Sequence, residues 1–454
     1  MSITHEDIAS VLRDILQNNQ LDDALQTLRG LRPVDIADAL ELVDPALAWP
    51  LLERLPNRAE IYAYFDAEEQ VQLARVFPHA TLARLVSEMP ADERTDLFKR
   101  LDREQQDELL PALAQAERED IRKLSSYAEG TAGALMTSDY AILKPDMTVA
   151  KALATLRHEA PDAETIYQSY VIDDERKLLG VVSLRDLILA HPDKTIDQLM
   201  IVDVVSGEVS EDQENIAKRI TRYDLLALPI TDGMGCLVGI VTYDDAMDVA
   251  SEEATDDFHK SAGVTTSVGN MKDATIGLLY RKRVFWLVLL VFGNLFSGAG
   301  IAHFEDIIAA NLVLVFFLPL LVDSGGNAGS QSSTLMVRAM ATGEVVMKDW
   351  FKLLGRESLV ALLLGCTMAS AVALLGYIRG DSMVALVLAL SMVTIVMVGC
   401  VIGMSLPFVL SKFKLDPASA SAPLITSVCD AAGVIVYLYI ASLLLPGMSL
   451  SSAL

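Results

Sequence analysis

Apolar positions keep three different rhythms along this chain. Up to about residue 125 they recur every three or four positions in short runs broken by Pro and Asp, such as Pro33-Val-Asp-Ile-Ala-Asp-Ala-Leu-Glu-Leu-Val-Asp-Pro45 and Asp92-Glu-Arg-Thr-Asp-Leu-Phe-Lys-Arg-Leu-Asp102. That pattern predicts short amphipathic helices stacked as a small α-solenoid. From about 132 to 250 strand-like and helix-like runs alternate, and the alternation occurs twice. One copy carries Leu179-Gly-Val-Val-Ser-Leu-Arg-Asp-Leu187 and the other Val238-Gly-Ile-Val-Thr-Tyr-Asp-Asp-Ala246. Each reads as a strand, a turn, a second strand and a helix opened by Asp. Beyond Arg283 come five apolar stretches, at 284–301, 307–322 continuing toward 337, 359–378, 383–410 and 424–445. Each approaches or exceeds the roughly 20 residues that span a bilayer. The second is the least apolar, because Asp323-Ser-Gly-Gly-Asn-Ala-Gly-Ser-Gln331 interrupts it.

Two of these spans carry polar stripes. Asn327, Gln331, Thr334 and Arg338 recur at helical spacing on the second, and Thr426, Asp430, Gly433 and Tyr437 on the fifth. Gly325, Gly329 and Ser333 add a small-xxx-small pattern that permits close helix approach. Stripes of this kind either glue helices together or line a polar path. Asp430 favours the path, since a carboxylate at membrane depth costs roughly 3 kcal/mol on insertion scales and helix gluing does not need one. Cys429, about 100° away on the helix, is assigned to packing. A carboxylate among amides, hydroxyls and small residues, with no thiolate or imidazole in either stripe, suits a hard divalent cation that keeps its water, as Mg²⁺ does.

Basic residues set the topology. With the N-terminal part inside, the inner flanks hold Arg281, Lys282, Arg283, Arg338, Lys348, Lys352, Arg356, Lys412 and Lys414, against Arg379 alone outside. Five spans satisfy the positive-inside rule and four do not. The expected location is a bacterial-type inner (plasma) membrane, multi-pass, with a cytoplasmic N-terminus that lacks the basic start and apolar core of a signal peptide. Only nine of the 61 acidic and seven of the 36 basic residues lie beyond Arg283, so residues 1–283 carry 52 acids against 29 bases, a net charge of −23. Such a surface repels nucleic acid and attracts cations. Cys236, Cys366, Cys400 and Cys429 form no CxxC pair, so neither a zinc site nor a disulfide framework is expected. No GxxxxGK[ST] motif occurs. A divalent ion gains roughly 4.6 kcal/mol per 100 mV of membrane potential, so influx needs no pump.

Where the duplicated region meets the membrane half, residues 244–257 hold seven acids. Asp244, Asp248, Glu252 and Asp256 recur every fourth position, and Glu253 and Asp257 repeat the spacing. A solvated acidic helix is one reading. Like charges at i,i+4 destabilise a helix unless neutralised, which makes a divalent-ion switch the other.

The duplicated unit resembles a pair of CBS domains, regulatory modules that often bind adenine nucleotides such as ATP. By that resemblance Arg185 and Asp186 fall where ribose and phosphate contacts lie, with helix capping the alternative role for Asp186. The whole chain resembles the MgtE family of magnesium channels, most specifically at Pro319–Leu335, at Glu252-Glu-Ala-Thr-Asp-Asp-Phe-His-Lys260 and at Asp416-Pro-Ala-Ser-Ala-Ser-Ala-Pro-Leu-Ile-Thr-Ser-Val-Cys-Asp430. The resemblance implies a multidomain membrane protein: an all-α acidic superhelical domain (1–128), CBS domains at 129–193 and 194–254, a connecting plug helix (255–282) and a five-helix transmembrane pore domain (283–454). It implies a homodimer in membrane lipid that passes Mg²⁺ between paired Asp430 side chains. It also assigns regulatory Mg²⁺ ligands: Asp245, Asp248, Glu253, Asp256 and Asp257 near the plug, Glu214 and Asp224 in the second CBS unit, and Asp92 and Asp96 in the helical domain. Two departures from the family pattern stand out. Ala422 replaces the usual Gly before Pro423, and Asp256 replaces a Glu.

Two other classes fit the chain less well. An ion-coupled secondary transporter of divalent cations should show inverted repeats, which five spans make awkward. A CBS-regulated membrane enzyme lacks material, since the six histidines (His5, His79, His158, His191, His259 and His303) form no HExxH and only His303 borders a span.

Overall fold

The computed structural model describes residues 5–18, 20–159, 163–264 and 275–445. These fall into two compact units that meet in sequence between Ser251 and Glu252. The first unit opens with ten helices, from His5–Gln17 to Gln115–Leu124. Each packs on the next but one, which is the stacking of a solenoid. The residues that broke the apolar rhythm are the helix starts. Pro33 and Pro45 occupy first turns, where a missing N–H costs nothing. Asp44 accepts from Ala46 N at 2.8 Å and Asp102 from Gln105 N at 3.0 Å, satisfying otherwise orphaned donors. Leu12, Leu40, Leu51, Ile61, Tyr62 and Leu85 are fully buried along the stack.

Two three-stranded sheets follow. The first holds β1 (Tyr140–Leu143), β2 (Thr165–Ile172) and β3 (Leu178–Ser183), the second β4 (Gly207–Glu208), β5 (Ala227–Thr231) and β6 (Leu237–Thr242). In each the first two strands run parallel and the last two antiparallel. The turns match as well. Asp173 Oδ1 accepts from Glu175 N and Lys177 N, and Asp232 Oδ1 from Met234 N and Cys236 N, all at 2.9 Å. The two hairpins meet through an isolated bridge between Lys177 and Cys236.

In the second unit five helices are long and apolar enough to cross a membrane: Ile276–His303, Val313–Ala341, Met347–Arg379, Ser382–Lys412 and Ala422–Leu444. The second of them is the least apolar, as its sequence predicts. Glycines bring the second and fourth spans together. A Cβ at Gly399 or Gly403 would collide with the carbonyl oxygens of Gly325 and Gly329, respectively. The third span closes on the fourth at Gly365 and Gly376, where an added Cβ would stand 3.0 Å from Val393 Cα and 3.1 Å from Ala385 Cα. Ser332 donates a hydrogen bond to Glu357, tying the second span to the third. The first span has no buried residue within a single chain.

The acidic run lies on one helix, Tyr243–Ser261. It ends where Gly263 adopts φ +77° and its N–H reaches Lys260 O, a glycine stop rather than a continuous helix to 282. Of the expected connecting segment, 265–274 lies outside the described residues, and a new helix begins at Ile276.

Candidate ion pathway and metal-sensing site

Asp430 sits two turns into the fifth span, half-buried, and its Oδ1 is shut off from solvent with no hydrogen-bond partner. The backbone of the second span reaches it at Gly326. A Cβ there would lie 2.9 Å from Thr426 Cγ2 and 3.4 Å from Asp430 Oδ1. Thr426 Oγ1 donates to Ala422 O at 2.8 Å and stands 3.4 Å from Ser330 Oγ. Asn327 is exposed and donates from Nδ2 to Asp323 Oδ2 at 2.9 Å. Asp323 in turn lies within electrostatic reach of Asp430. The expected stripe on the fifth span holds only in its N-terminal half, at Thr426 and Asp430. Tyr437 is fully buried and its hydroxyl donates to Leu314 O at 3.1 Å, while Gly433 packs near Val322 and Ile395. Helical spacing assigned both to a face but not to a neighbour, and the neighbour here is the protein core. Cys429 is buried beside Gly329, a packing role.

A second group of acids forms in the first unit. Asp92 and Glu93 open the helix Ala91–Arg100, Glu164 precedes β2, and Asp245 opens the helix after β6. Burial, reinforced by the Asp245 and Glu164 charges, holds the Asp92 carboxyl well above the usual range, and its Oδ1 is enclosed without a partner. Burial and then the Asp245 charge push Glu93 and Glu164 each up to about 7. Asp245 rises to about 6, chiefly by burial, despite the hydrogen bond it accepts from Thr242. Arg94 does not relieve the group, because its guanidinium is turned to Val86 O and Met89 O, at 3.1 and 2.8 Å. Among the described residues no three His, Cys, Asp or Glu side chains stand as a finished metal cage. Part-buried carboxylates gathered around the enclosed, unpartnered Asp92 Oδ1, with Arg100 acting on Glu93 from the side of Asp96, nonetheless fit a hard divalent cation held partly through water.

The remaining expected ligands divide. Asp248 is exposed and its charge bears on Asp245, and Asp96 acts on Glu93 while pairing with Lys99 at 3.6 Å. Glu214 pairs with Lys218 at 2.7 Å, and Asp224 ends its helix in a left-handed conformation at φ 52°. Glu253, Asp256 and Asp257 are half-buried near the end of the acidic helix. There Lys260 Nζ bridges Asp416 Oδ2 at 2.7 Å and Asp256 Oδ2 at 3.7 Å, and a Cβ at Gly263 would lie 3.3 Å from Pro423 Cγ. The helix terminus therefore rests on the loop that opens the fifth span.

In the CBS pair Arg185 is exposed. Asp186 is engaged locally, accepting from Ser183 Oγ at 2.6 Å while Ser183 caps its N–H at 3.0 Å. Sequence reasoning missed Glu93, Glu164 and Lys260. Glu93 adjoins Asp92, which was a usable signal. Glu164 and Lys260 meet their partners only through the fold.

A helical domain, a CBS pair and five spans with a polar seam define a multi-pass membrane protein of the solute-transport class. Residues 318–440 match a family model described as a divalent cation transporter, 31–130 the MgtE intracellular N domain, and 132–193 and 196–252 the CBS domain. The chain is 35% identical to the magnesium transporter MgtE of Thermus thermophilus over 97% of its own length and 99% of the relative's. It is 30% identical to that of Bacillus subtilis over 97% and 98%. Two solved structures match the region before the spans. One is the soluble part of a magnesium transporter (33% identity, TM-score 0.51, 55% of this chain and 99% of that one). The other is the cytosolic domain of the Mg²⁺ channel MgtE in complex with ATP (34%, 0.51, 53% and 99%). The chain belongs to the MgtE family of magnesium transporters, which is not an enzyme family.

Proposed function

We propose that the chain is a homodimeric, Mg²⁺-gated channel that lets magnesium enter passively through an inner (plasma) membrane, with its N-terminus in the cytoplasm. The observation that carries the pore is the orphaned Asp430 Oδ1 inside an apolar helix, beside Gly326, Thr426 and the Asn327 seam. A carboxylate held there without a basic partner is paid back by a cation in transit. Two copies related by symmetry supply two such carboxylates to one hydrated ion.

Closure is assigned to the acids that precede the spans. Asp92, Glu93, Glu164 and Asp245 would hold a divalent cation, with Asp96 and Asp248 near them. Glu253, Asp256 and Asp257 form a further set beside Asp416, and Glu214 and Asp224 belong to the second CBS unit. What the bound ion supplies is charge neutralisation, which lets these carboxylates stay close. The contact of Lys260 with Asp416 and of Gly263 with Pro423 gives the acidic helix a direct hold on the span that carries Asp430. An adenine nucleotide such as ATP is assigned to the CBS pair by analogy with the relative's complex. Arg185 is the available contact, whereas Asp186 is already engaged in capping.

The test is flux into liposomes with Mg²⁺ varied separately on each face. The proposal expects influx driven by voltage alone and suppressed by Mg²⁺ on the side of the N-terminal domain. Obligatory coupling to H⁺ or Na⁺ would instead favour the secondary transporter.

A further inference from the structure

The third span opens on a basic face that neither the pore nor the acidic module uses. Lys348, Lys352 and Arg356 recur every fourth residue at the start of Met347–Arg379, and all three are exposed. Among the described residues none of them stands in an ion pair. The two acids of this span are committed elsewhere. Asp349 accepts from Val346 N at 3.1 Å, and Glu357 accepts from Ser332. Like charges at this spacing repel, and the N-terminus is the unfavourable end of a helix dipole for cations. Helix stability therefore gives no account of the three bases; an anion does.

Farther along the helix the same face turns apolar. Lys352, Arg356, Leu359 and Leu363 fall within about 60° of helical arc. Leu359 and Leu363 are 60% and 62% exposed, and Phe351, beside Lys352, is 80% exposed. Between the bases and the leucines lies Gly355, where a Cβ would meet nothing within 4 Å. The opposite side of the helix is fixed by the protein: Trp350 Nε1 donates to Ser405 Oγ at 3.3 Å, and Ala361 is fully buried. A positive end, an open notch and an apolar strip thus follow one another from the membrane surface inward. A free anion would use only the first of these. We infer that this face binds an anionic phospholipid, its phosphate on Lys348, Lys352 and Arg356 and its acyl chains along Leu359 and Leu363. In the expected topology the site lies in the inner leaflet.

The experiment places the full-length protein in phosphatidylcholine vesicles with a trace of phosphatidylglycerol that carries a photoreactive group in its acyl chain. Cross-links are mapped by mass spectrometry, and labelled phosphatidylcholine at the same trace level gives the reference yield. Phosphatidylglycerol is expected to label 359–363 far more than phosphatidylcholine does. Each base near an anionic headgroup contributes roughly five-fold in affinity. Lys352→Gln with Arg356→Gln should therefore cut the phosphatidylglycerol yield there about 25-fold and leave the phosphatidylcholine yield unchanged. Lys352→Arg with Arg356→Lys keeps the charge and should stay within about two-fold of the native yield. Equal yields for the two lipids, or a phosphatidylglycerol yield unmoved by the double Gln substitution, would overturn the inference. Displacement by inorganic phosphate at constant ionic strength would assign the bases to a free anion and overturn it too. No cross-link from either lipid would mean that a second copy of the chain covers this face, with the same consequence.

Discussion

Asp186 and Asp245 hold equivalent places in the two CBS copies, and the fold uses them differently. Each accepts a hydrogen bond from the hydroxyl three residues before it, Ser183 or Thr242, at the start of a helix. Asp186 stays exposed, whereas Asp245 is drawn in against Asp92, Glu93 and Glu164. Folding raises these carboxyls from about 4 toward 6 and 7. Between those limits the folded unit binds more protons than the unfolded chain. Its extra stability is thus full below about pH 4 and lost as pH rises toward about 7. Without divalent ions, the thermal midpoint of residues 1–251 should fall by several degrees, about 5 °C, from pH 5 to 7.5. Mg²⁺ should restore it more at pH 7.5 than at pH 5, since the ion needs the ionised carboxylates. Asp92→Asn should raise the metal-free midpoint at pH 7.5 and remove most of the Mg²⁺ increment; an undiminished increment would contradict the assignment.

At the scale of elements, the spans are held by glycine backbones in near contact. Gly403→Ala drives a methyl into Gly329 O, where nothing flexible can give way, and should destabilise the membrane unit by about 1–3 kcal/mol. Gly277→Ala meets nothing within 4 Å and should be neutral, so the two midpoints in detergent separate packing from composition. Much of this architecture was legible in sequence because each element advertises itself locally. Pro and Asp mark helix starts, the duplicated Gly-[Val/Ile]-Val-[Ser/Thr] marks paired hairpins, and apolar length marks spans. What was not legible is which neighbour a face meets. Tyr437 shares a helical face with Asp430 yet buries its hydroxyl on Leu314 O, and Glu164 joins Asp92 across a long stretch of chain. Gly263 ends the acidic helix early because a left-handed turn there carries no Cβ penalty, a stop that helix-compatible composition beyond it concealed.

At the scale of the molecule, a strongly acidic module precedes a nearly uncharged membrane bundle. In the proposed gate, repulsion among the acids would favour the open state and a bound divalent ion the closed one. Moving a two-state gate from 1:99 to 99:1 takes about 5.5 kcal/mol of differential binding, which under the proposed gating several weak carboxylate sites would supply jointly. Closure should therefore be steep in inside Mg²⁺, and combined Asp92→Asn and Asp245→Asn substitution should shift it to several-fold higher concentration without changing conduction when open. The central claim, that Asp430 lines a passive pore governed from the other side by the transported ion, is tested most directly by single-channel recording in a planar bilayer. The account predicts Mg²⁺ current without any H⁺ or Na⁺ gradient, closed by millimolar Mg²⁺ on the N-terminal face and abolished in Asp430→Asn. Current in that variant equal to wild type, or none without a coupling gradient, would contradict it.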